Sequence, residues 1–331
     1  MNQTEVICVG EALIDRIVNK SDLSFKDYLG GAPANVACAL SKLNINSSFI
    51  GRLGDDQFGK KFIDNFKRIG IDTRFLQCDD LYPTRIVRVL RDKFGDRFFS
   101  GFENYSGNFF ADEMLDKSNF EENLLHLDEL LVNAKYIVTG TILLSSNQSS
   151  DALIFLLNHI EKFNIKVIVD LNWRDIFWSD SNTTSEPSEK QLKKIINLLH
   201  FADTLKFAKE EAILFFNNCE PLKISKFFPK GPDVLITDGK NPISWYINGI
   251  QGNTKAFTSN NIIDTTGAGD AFLAGFISQM INSSDFLDSL KVEKIIKFAS
   301  ACGLLTCLSK GAIMAQPDLI QVQKFLKSVG W

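Results

Sequence analysis

The chain has 331 residues, with 36 Lys and Arg against 40 Asp and Glu and a formal net charge of −4. This length can bury a large core in one α/β domain spanning 1–331, and the charge balance leaves no basic patch for nucleic acid and no charge run for a membrane surface. Six cysteines, at positions 8, 38, 78, 219, 302 and 307, form no C-x-x-C pair and no histidine stands at zinc-ligand spacing, so reduced, mostly buried thiols in a cytoplasmic protein are expected.

Met1 to Glu5 run straight into Val6-Ile7-Cys8-Val9, an apolar run ending at Gly10 that predicts a buried parallel strand with no signal peptide ahead of it. Glu11-Ala12-Leu13-Ile14-Asp15 follows at the carboxyl end of that strand, where open α/β sheets gather ligands. Asp15, read as a loop residue, suits two neighbouring sugar hydroxyls; taken alone it is a solvated acid.

Gly30-Gly31-Ala32-Pro33-Ala34-Asn35 opens a helix whose Val36, Ala37, Leu40 and Leu43 share one face. The glycine pair admits close approach to the backbone, and Asn35 can donate and accept toward a polyol. Ser48-Phe49-Ile50 predicts a strand, and Phe58, Phe62, Ile63, Phe66 and Ile69 mark an amphipathic helix stopped by Gly70. Gly54 to Lys61 nearly spells a P-loop. Lys61 replaces the Ser or Thr that would bind Mg²⁺, and Asp55 and Asp56 would repel a phosphate, so that reading is rejected.

Arg85 to Leu90 and Arg97-Phe98-Phe99, joined by Asp92-Lys93-Phe94-Gly95, predict a hairpin. With the polar segment from Arg16 it would form a β-lid from about 16–30 and 84–102, excluding water from a phosphoryl acceptor. From Tyr136 strands and helices alternate: Tyr136 to Val138, Asp151 to Phe163, Lys166 to Val169, Gln191 to His200, Thr204 to Phe207. This predicts a mainly parallel sheet covered by helices. Past one strand end, Asp170, Asn172 and Arg174 suit Mg²⁺ waters and phosphate oxygens. Ser179 to Glu189 is linker-like but too short to divide domains. Glu210-Glu211 begins a helix, Val234 to Gly239 is a strand and turn, Asn248-Gly249 marks a hairpin, and Ile295 to Leu308 reads as a buried helix. His126, His159 and His200 fall in helical stretches and read as packing or surface residues.

Asp264-Thr265-Thr266-Gly267-Ala268-Gly269-Asp270 feeds the apolar run Ala271 to Ile277. A helix N-terminus there presents unpartnered amides and partial positive charge to a phosphate. Asp270 among those amides should be ionised at neutral pH, able to accept a proton from an attacking hydroxyl. Alone, such an Asp reads equally well as an N-cap.

Gly30 to Ala37 and Asp264 to Asp270 resemble the two signatures of the ribokinase-like (PfkB) sugar kinases, collinear over nearly the whole chain. Gly10 to Asp15, Asp170 to Arg174, Glu210-Glu211, and Lys310-Gly311-Ala312 with Pro317 fall where that family carries comparable elements. The Ala32-Pro33 pair and the Asp-x-Asn-x-Arg stretch are similar to fructokinases. The resemblance implies an α/β fold, a three-layer αβα sandwich with a mainly parallel central sheet plus a small β-sheet lid, and transfer of the γ-phosphate of ATP to a sugar. It makes Asp270 the catalytic base and the amides of Gly267, Ala268 and Gly269 the anion hole. Asp15, Gly30, Gly31, Asn35 and Arg174 become substrate contacts, and Thr237, Gly239 and Thr265 nucleotide contacts. Glu211, with Asp170, organises Mg²⁺ through water, and Asp264 and Thr266 match positions that bind K⁺ in some members.

Two departures stand out: Ala208, where many members carry Asn, and Pro242, near a place where a glycine is common. Ala32 and Pro33 offer no cation to a sugar phosphate, which favours a neutral sugar, fructose first. Arg85, Arg88, Arg91 and Arg97 keep 2-keto-3-deoxygluconate open as an acidic alternative, beside other family sugars and nucleosides. A non-catalytic fructokinase-like regulatory protein is the alternative of another class, kept open by Ala208 and Pro242. A dinucleotide dehydrogenase is disfavoured, since Gly267-Ala268-Gly269 lacks the third glycine and the downstream ribose acid. An exposed lid edge suits a homodimer.

Overall fold

The computed structural model describes residues 3–18, 24–91, 97–103, 109–178, 186–283 and 287–331. Its strands are β1 (Val6–Val9), β2 (Leu13–Val18), β3 (Phe25–Gly30), β4 (Ser47–Gly54), β5 (Leu76–Asp79), β6 (Ile86–Arg91), β7 (Arg97–Glu103), β8 (Tyr136–Thr139), β9 (Lys166–Asp170), β10 (Thr204–Ala208), β11 (Asp233–Thr237), β12 (Ile243–Ile247) and β13 (Ile250–Thr254). Nine of them form one sheet in the order β13-β12-β11-β10-β9-β8-β1-β4-β5. From β11 to β5 every neighbouring pair is parallel, and β12 and β13 extend that sheet antiparallel.

Both faces of this sheet are buried, which is why its strands read as continuous apolar runs. Successive residues of β1 point to opposite faces: Val6 and Cys8 enter a core with the helices Ala32–Lys42, Gln57–Ile69, Ala268–Ile281 and Ser289–Cys307. Ile7 and Val9 enter a second core with Leu124–Leu131, Asn147–His159 and Glu189–Leu199. The result is the three-layer arrangement expected from the alternation of strands and helices.

A separate four-stranded sheet has the order β3-β2-β6-β7. It takes in most of 16–30 and 84–102 but starts at Leu13, so Asp15 stands on a strand and not in a loop, paired in register with Tyr28 and Val87. Arg16 crosses this sheet to Asp27 at 2.6 Å and to Glu103. The turn 92–96 and the linker-like residues 179–185 lie outside the described residues.

The near-P-loop has a local explanation. Asp56 caps the helix Gln57–Ile69 by accepting from the amides of Phe58 and Gly59 at 2.8 and 2.9 Å, and its other oxygen accepts from Thr84 N at 2.7 Å. The helix end that would hold a phosphate is filled by a side-chain carboxylate. Two helices begin earlier than their apolar residues indicate, at Asn147 and Ser289 instead of Asp151 and Ile295, because polar first turns follow Ser146 and Asp288. The Asp288 carboxylate accepts from Lys291 N at 2.8 Å.

Candidate active site

Gly31 caps the helix Ala32–Lys42 at φ 100°, and a Cβ there would fall 2.5 Å from the Glu11 carbonyl oxygen. Only glycine lets that loop lie against the residue following β1. Glu11, 1% exposed, completes the join: its Oε1 accepts from Ala32 N at 2.9 Å while its Oε2 is buried with no partner. Burial, with the nearby charges of Asp112 and Asp270, pushes the Glu11 carboxyl up to about 8, so it carries its proton at neutral pH.

Gly267, at φ 75°, caps the helix Ala268–Ile281 without a side-chain hydrogen bond; the Ala268 amide expected in the anion hole donates instead to the Thr265 carbonyl at 3.2 Å, while Gly267 and Gly269 line the cavity. Asp270 lies in its first turn, and Asn35 Nδ2 donates to Asp270 Oδ2 at 2.7 Å. Burial, then the Asp170 charge, raise the Asp270 carboxyl to about 6, while the Asn35 bond, Lys206 and Arg174 draw it down. The group is ionised at pH 7 yet close enough to neutrality to take up a proton, which is the poise a general base needs. Asp264 stands behind this loop: its Oδ1 accepts from Thr266 N and Oγ1 at 3.0 and 2.8 Å, and its Oδ2 from Gly311 N at 2.9 Å.

The third side of the site comes from the ends of β9 and β10. Glu211 accepts from Trp173 N and Ala208 N, each at 2.8 Å, tying the Asp170–Arg174 segment to the start of the helix Lys209–Phe216. Burial and then Asp170 raise its carboxyl above the ordinary range. Asp170 Oδ2 accepts from Lys206 Nζ at 2.7 Å, and Asp170 Oδ1 is buried without a partner. Burial opposes the charge on Lys206, but Asp170, with Glu211 and Asp270 behind it, holds the ammonium above its ordinary pKa.

Twelve of the predicted residues line one cavity of about 350 Å³: Asp15, Gly31, Asn35, Asp170, Arg174, Glu211, Thr237, Thr265, Thr266, Gly267, Gly269 and Asp270. Four others are not among its lining residues. Gly30 presses on Asp15, where a Cβ would lie 2.6 Å from Oδ2; Asp264 braces the loop through Thr266 and Gly311; Ala268 is the first residue of its helix; Gly239 follows β11 at φ 54°. Sequence reasoning missed Glu11 and Lys206, both of which also line the cavity. Arg85 is not available to an acidic sugar. It is 2% exposed, bonded to Asp112 at 2.9 Å and near Glu113 at 3.1 Å, and lies over the rings of Phe102, Phe110 and Phe177. Arg88 pairs with Glu103 at 3.5 Å, and the side chains of Arg91 and Arg97 lie outside the described residues. His126, His159 and His200 are absent from the cavity lining.

Residues 3–319 match the model of the pfkB family carbohydrate kinases. A probable chloroplastic fructokinase-6 of Arabidopsis thaliana is 31% identical over 97% of this chain and 82% of its own length. Fructokinase-2 of Oryza sativa is 30% identical over 97% and 93%. Among solved structures, a fructokinase of Xylella fastidiosa with bound ATP superposes with a TM-score of 0.85 at 24% identity over 99% of each chain. An uncharacterized sugar kinase of Pyrococcus horikoshii in complex with ATP gives 0.77 at 26% over 97% of each. With these matches, and with Asp270 in the first turn of its helix lining a cavity of about 350 Å³, the chain belongs to the pfkB family of carbohydrate kinases and is a phosphotransferase with a hydroxyl acceptor.

Proposed function

We propose that this kinase transfers the γ-phosphoryl group of ATP to the primary hydroxyl of fructose, giving fructose 6-phosphate. The observation that carries the reading is the Asn35–Asp270 hydrogen bond, which aims the base into a cavity shared with the amides before it and with Asp15 across it. The hydroxyl proton goes to Asp270 as the hydroxyl oxygen bonds to phosphorus, and the Gly267 and Gly269 amides hold the oxygen charge. Asp15, Gly30, Gly31 and Asn35 bind the sugar, Arg174 reaches phosphate oxygens, and Thr237, Gly239 and Thr265 hold the nucleotide.

The donor set suits Mg²⁺: Asp170 keeps a buried oxygen with no partner, and Glu211 stands in the same cavity. These two acids would hold the ion's water shell, and the ion when bound neutralises the phosphate charge. The buried Asp264 carboxylate, fixed between Thr266 and Gly311, is the anionic group a K⁺ ion would take.

Fructose is favoured over an acidic or phosphorylated sugar because Ala32 and Pro33 bring no charge and Arg85 is committed to Asp112. The named fructokinases among the relatives support the same choice. In this reading residues 1–331 act as one kinase domain. The four-stranded sheet is its lid, supplying Leu13, Asp15 and Val89 to the cavity, and its outer strands pair in a homodimer. Six unpaired cysteines fit a cytoplasmic protein, and among the described residues no helix is long and apolar enough to cross a membrane.

The test is ADP release with Mg·ATP against fructose, 2-keto-3-deoxygluconate, ribose, adenosine and fructose 6-phosphate. Turnover of fructose is expected, reduced about 10²–10⁴-fold in Asp270→Asn. Faster turnover of another acceptor would replace fructose, and no turnover by folded, sugar-binding protein would replace the kinase reading with a binding role.

A further inference from the structure

Lys206 is the middle residue of β10 and 5% exposed, in register with Asp170 on the neighbouring strand. Its ammonium has three N–H donors. One goes to Asp170 Oδ2 at 2.7 Å, and among the described residues no other acceptor meets it. On its other side lies the phosphate loop: a Cβ added at Gly269 would fall 3.4 Å from Lys206 Nζ. Arg174 is the other cation lining the cavity, but its side chain is 41% exposed and bonded to the Trp173 carbonyl at 2.7 Å. The cavity thus contains one buried, anchored positive charge with donors in hand, beside Gly267 and Gly269 at the start of the helix Ala268–Ile281.

A buried ammonium with unfilled donors is costly unless an anion completes its shell, and a phosphoryl oxygen supplies the charge and the lone pairs. Asp170 cannot do both jobs with one oxygen: it fixes the direction of the ammonium and leaves the remaining donors for the ligand. We propose that Lys206 is a further catalytic residue, donating to a non-bridging oxygen of the γ-phosphoryl group in bound ATP and throughout its transfer. This rests on the proposed kinase reading. The acceptor oxygen–phosphorus bond forms, and the bond from the γ-phosphorus to the β–γ bridging oxygen breaks with its electron pair going to ADP. The acceptor's proton goes to Asp270, and Lys206 keeps all its protons.

The experiment compares Lys206→Met and Lys206→Arg with the unaltered protein, and includes Asp170→Asn/Lys206→Met to relieve the carboxylate the single variant would leave buried and unpaired. Calorimetric titrations with Mg·ATP and Mg·ADP are run beside turnover of fructose. Loss of one preorganised donor typically costs about 10²–10³ in kcat. Lys206→Met is expected to lose that much and to weaken ATP binding about tenfold or more, with ADP binding held within about threefold and partial recovery in Lys206→Arg. In the double variant, a native melting transition with the same loss of preference for ATP over ADP supports the assignment if the single variant fails to fold. A kcat within about threefold of the unaltered protein, or equal weakening of ATP and ADP, overturns it. If no acceptor is phosphorylated but the preference for ATP over ADP still depends on Lys206, the acceptor reading falls and the phosphate contact stands. If the unaltered protein binds neither nucleotide, both fall.

Discussion

Asn35 and Asp270 stand 235 positions apart in the chain, yet the Asn35 side-chain amide donates to the Asp270 carboxylate at 2.7 Å. The bond favours the ionised form of Asp270, the proposed base. Asn35→Ala removes a contribution that lowers the Asp270 pKa, so the group should titrate above its present value of about 6. The acidic limb of the kcat/KM profile is expected to move to higher pH, with the plateau lowered. An unshifted limb would mean that another group governs the profile.

Glu11 gives a stability test with a defined sign. Its folded-state carboxyl is raised from 4.5 to about 8, so between those values the native protein holds a proton that the unfolded chain has released. Stability from this group therefore falls as pH rises from about 4.5 to 8 and levels off above. Glu11→Gln keeps an acceptor for Ala32 N and cannot ionise. Its melting temperature should gain steadily on the unaltered protein between pH 5 and 8, as scanning calorimetry at several pH values would show.

Arg85 and Asp112 form a buried pair, each 2% exposed. Removing one partner leaves an uncompensated charge, and about 3–5 kcal/mol is the usual consequence. Arg85→Met and Asp112→Asn should each destabilise strongly while the double variant is milder than their sum, a pattern that urea unfolding of the four proteins resolves.

Gly267→Ala combines a φ of 75° with a Cβ 2.9 Å from the Ala312 side chain, so the loop must shift. Strain of this kind is worth about 1–3 kcal/mol. Because the amides proposed to hold the phosphate move with the loop, kcat should fall by a larger factor than the fructose KM rises. Equal changes in both would place the loop in binding alone.

The two loops that frame the site are legible in the chain because glycines, prolines and a helix-opening acid have few other uses in that order. Lys206 is not. Within Thr204-Leu205-Lys206-Phe207 a charged residue reads as the outward-facing step of a strand, and only the register between β9 and β10 sets it beside Asp170. Glu11 is hidden for a similar reason: an acid after a strand looks solvated until the Ala32 amide, 21 positions on, is brought over it. Asp15 reads as a loop residue because it lies just past the strand that ends at Gly10, but pairing with Tyr28 on β3 and Val87 on β6 makes it part of a sheet. Arg85 looks like a surface cation in sequence, and three aromatic rings from separate segments bury it.

The helices Ala32–Lys42 and Ala268–Ile281 pack directly on one another, and Gln316 and Lys42 fasten the first of them to the segment after Ser289–Cys307: Gln316 Nε2 donates to the Asn35 carbonyl at 2.9 Å and Lys42 Nζ to that of Ile313 at 2.7 Å. During synthesis, a chain grown only as far as the hairpin at Asn248 holds the residues proposed for the acceptor but neither the proposed base nor the glycine loop before it. On the roles proposed above, such a partial chain has no phosphoryl-transfer site while it waits to fold, because that site is assembled only when the late helix docks against the early one.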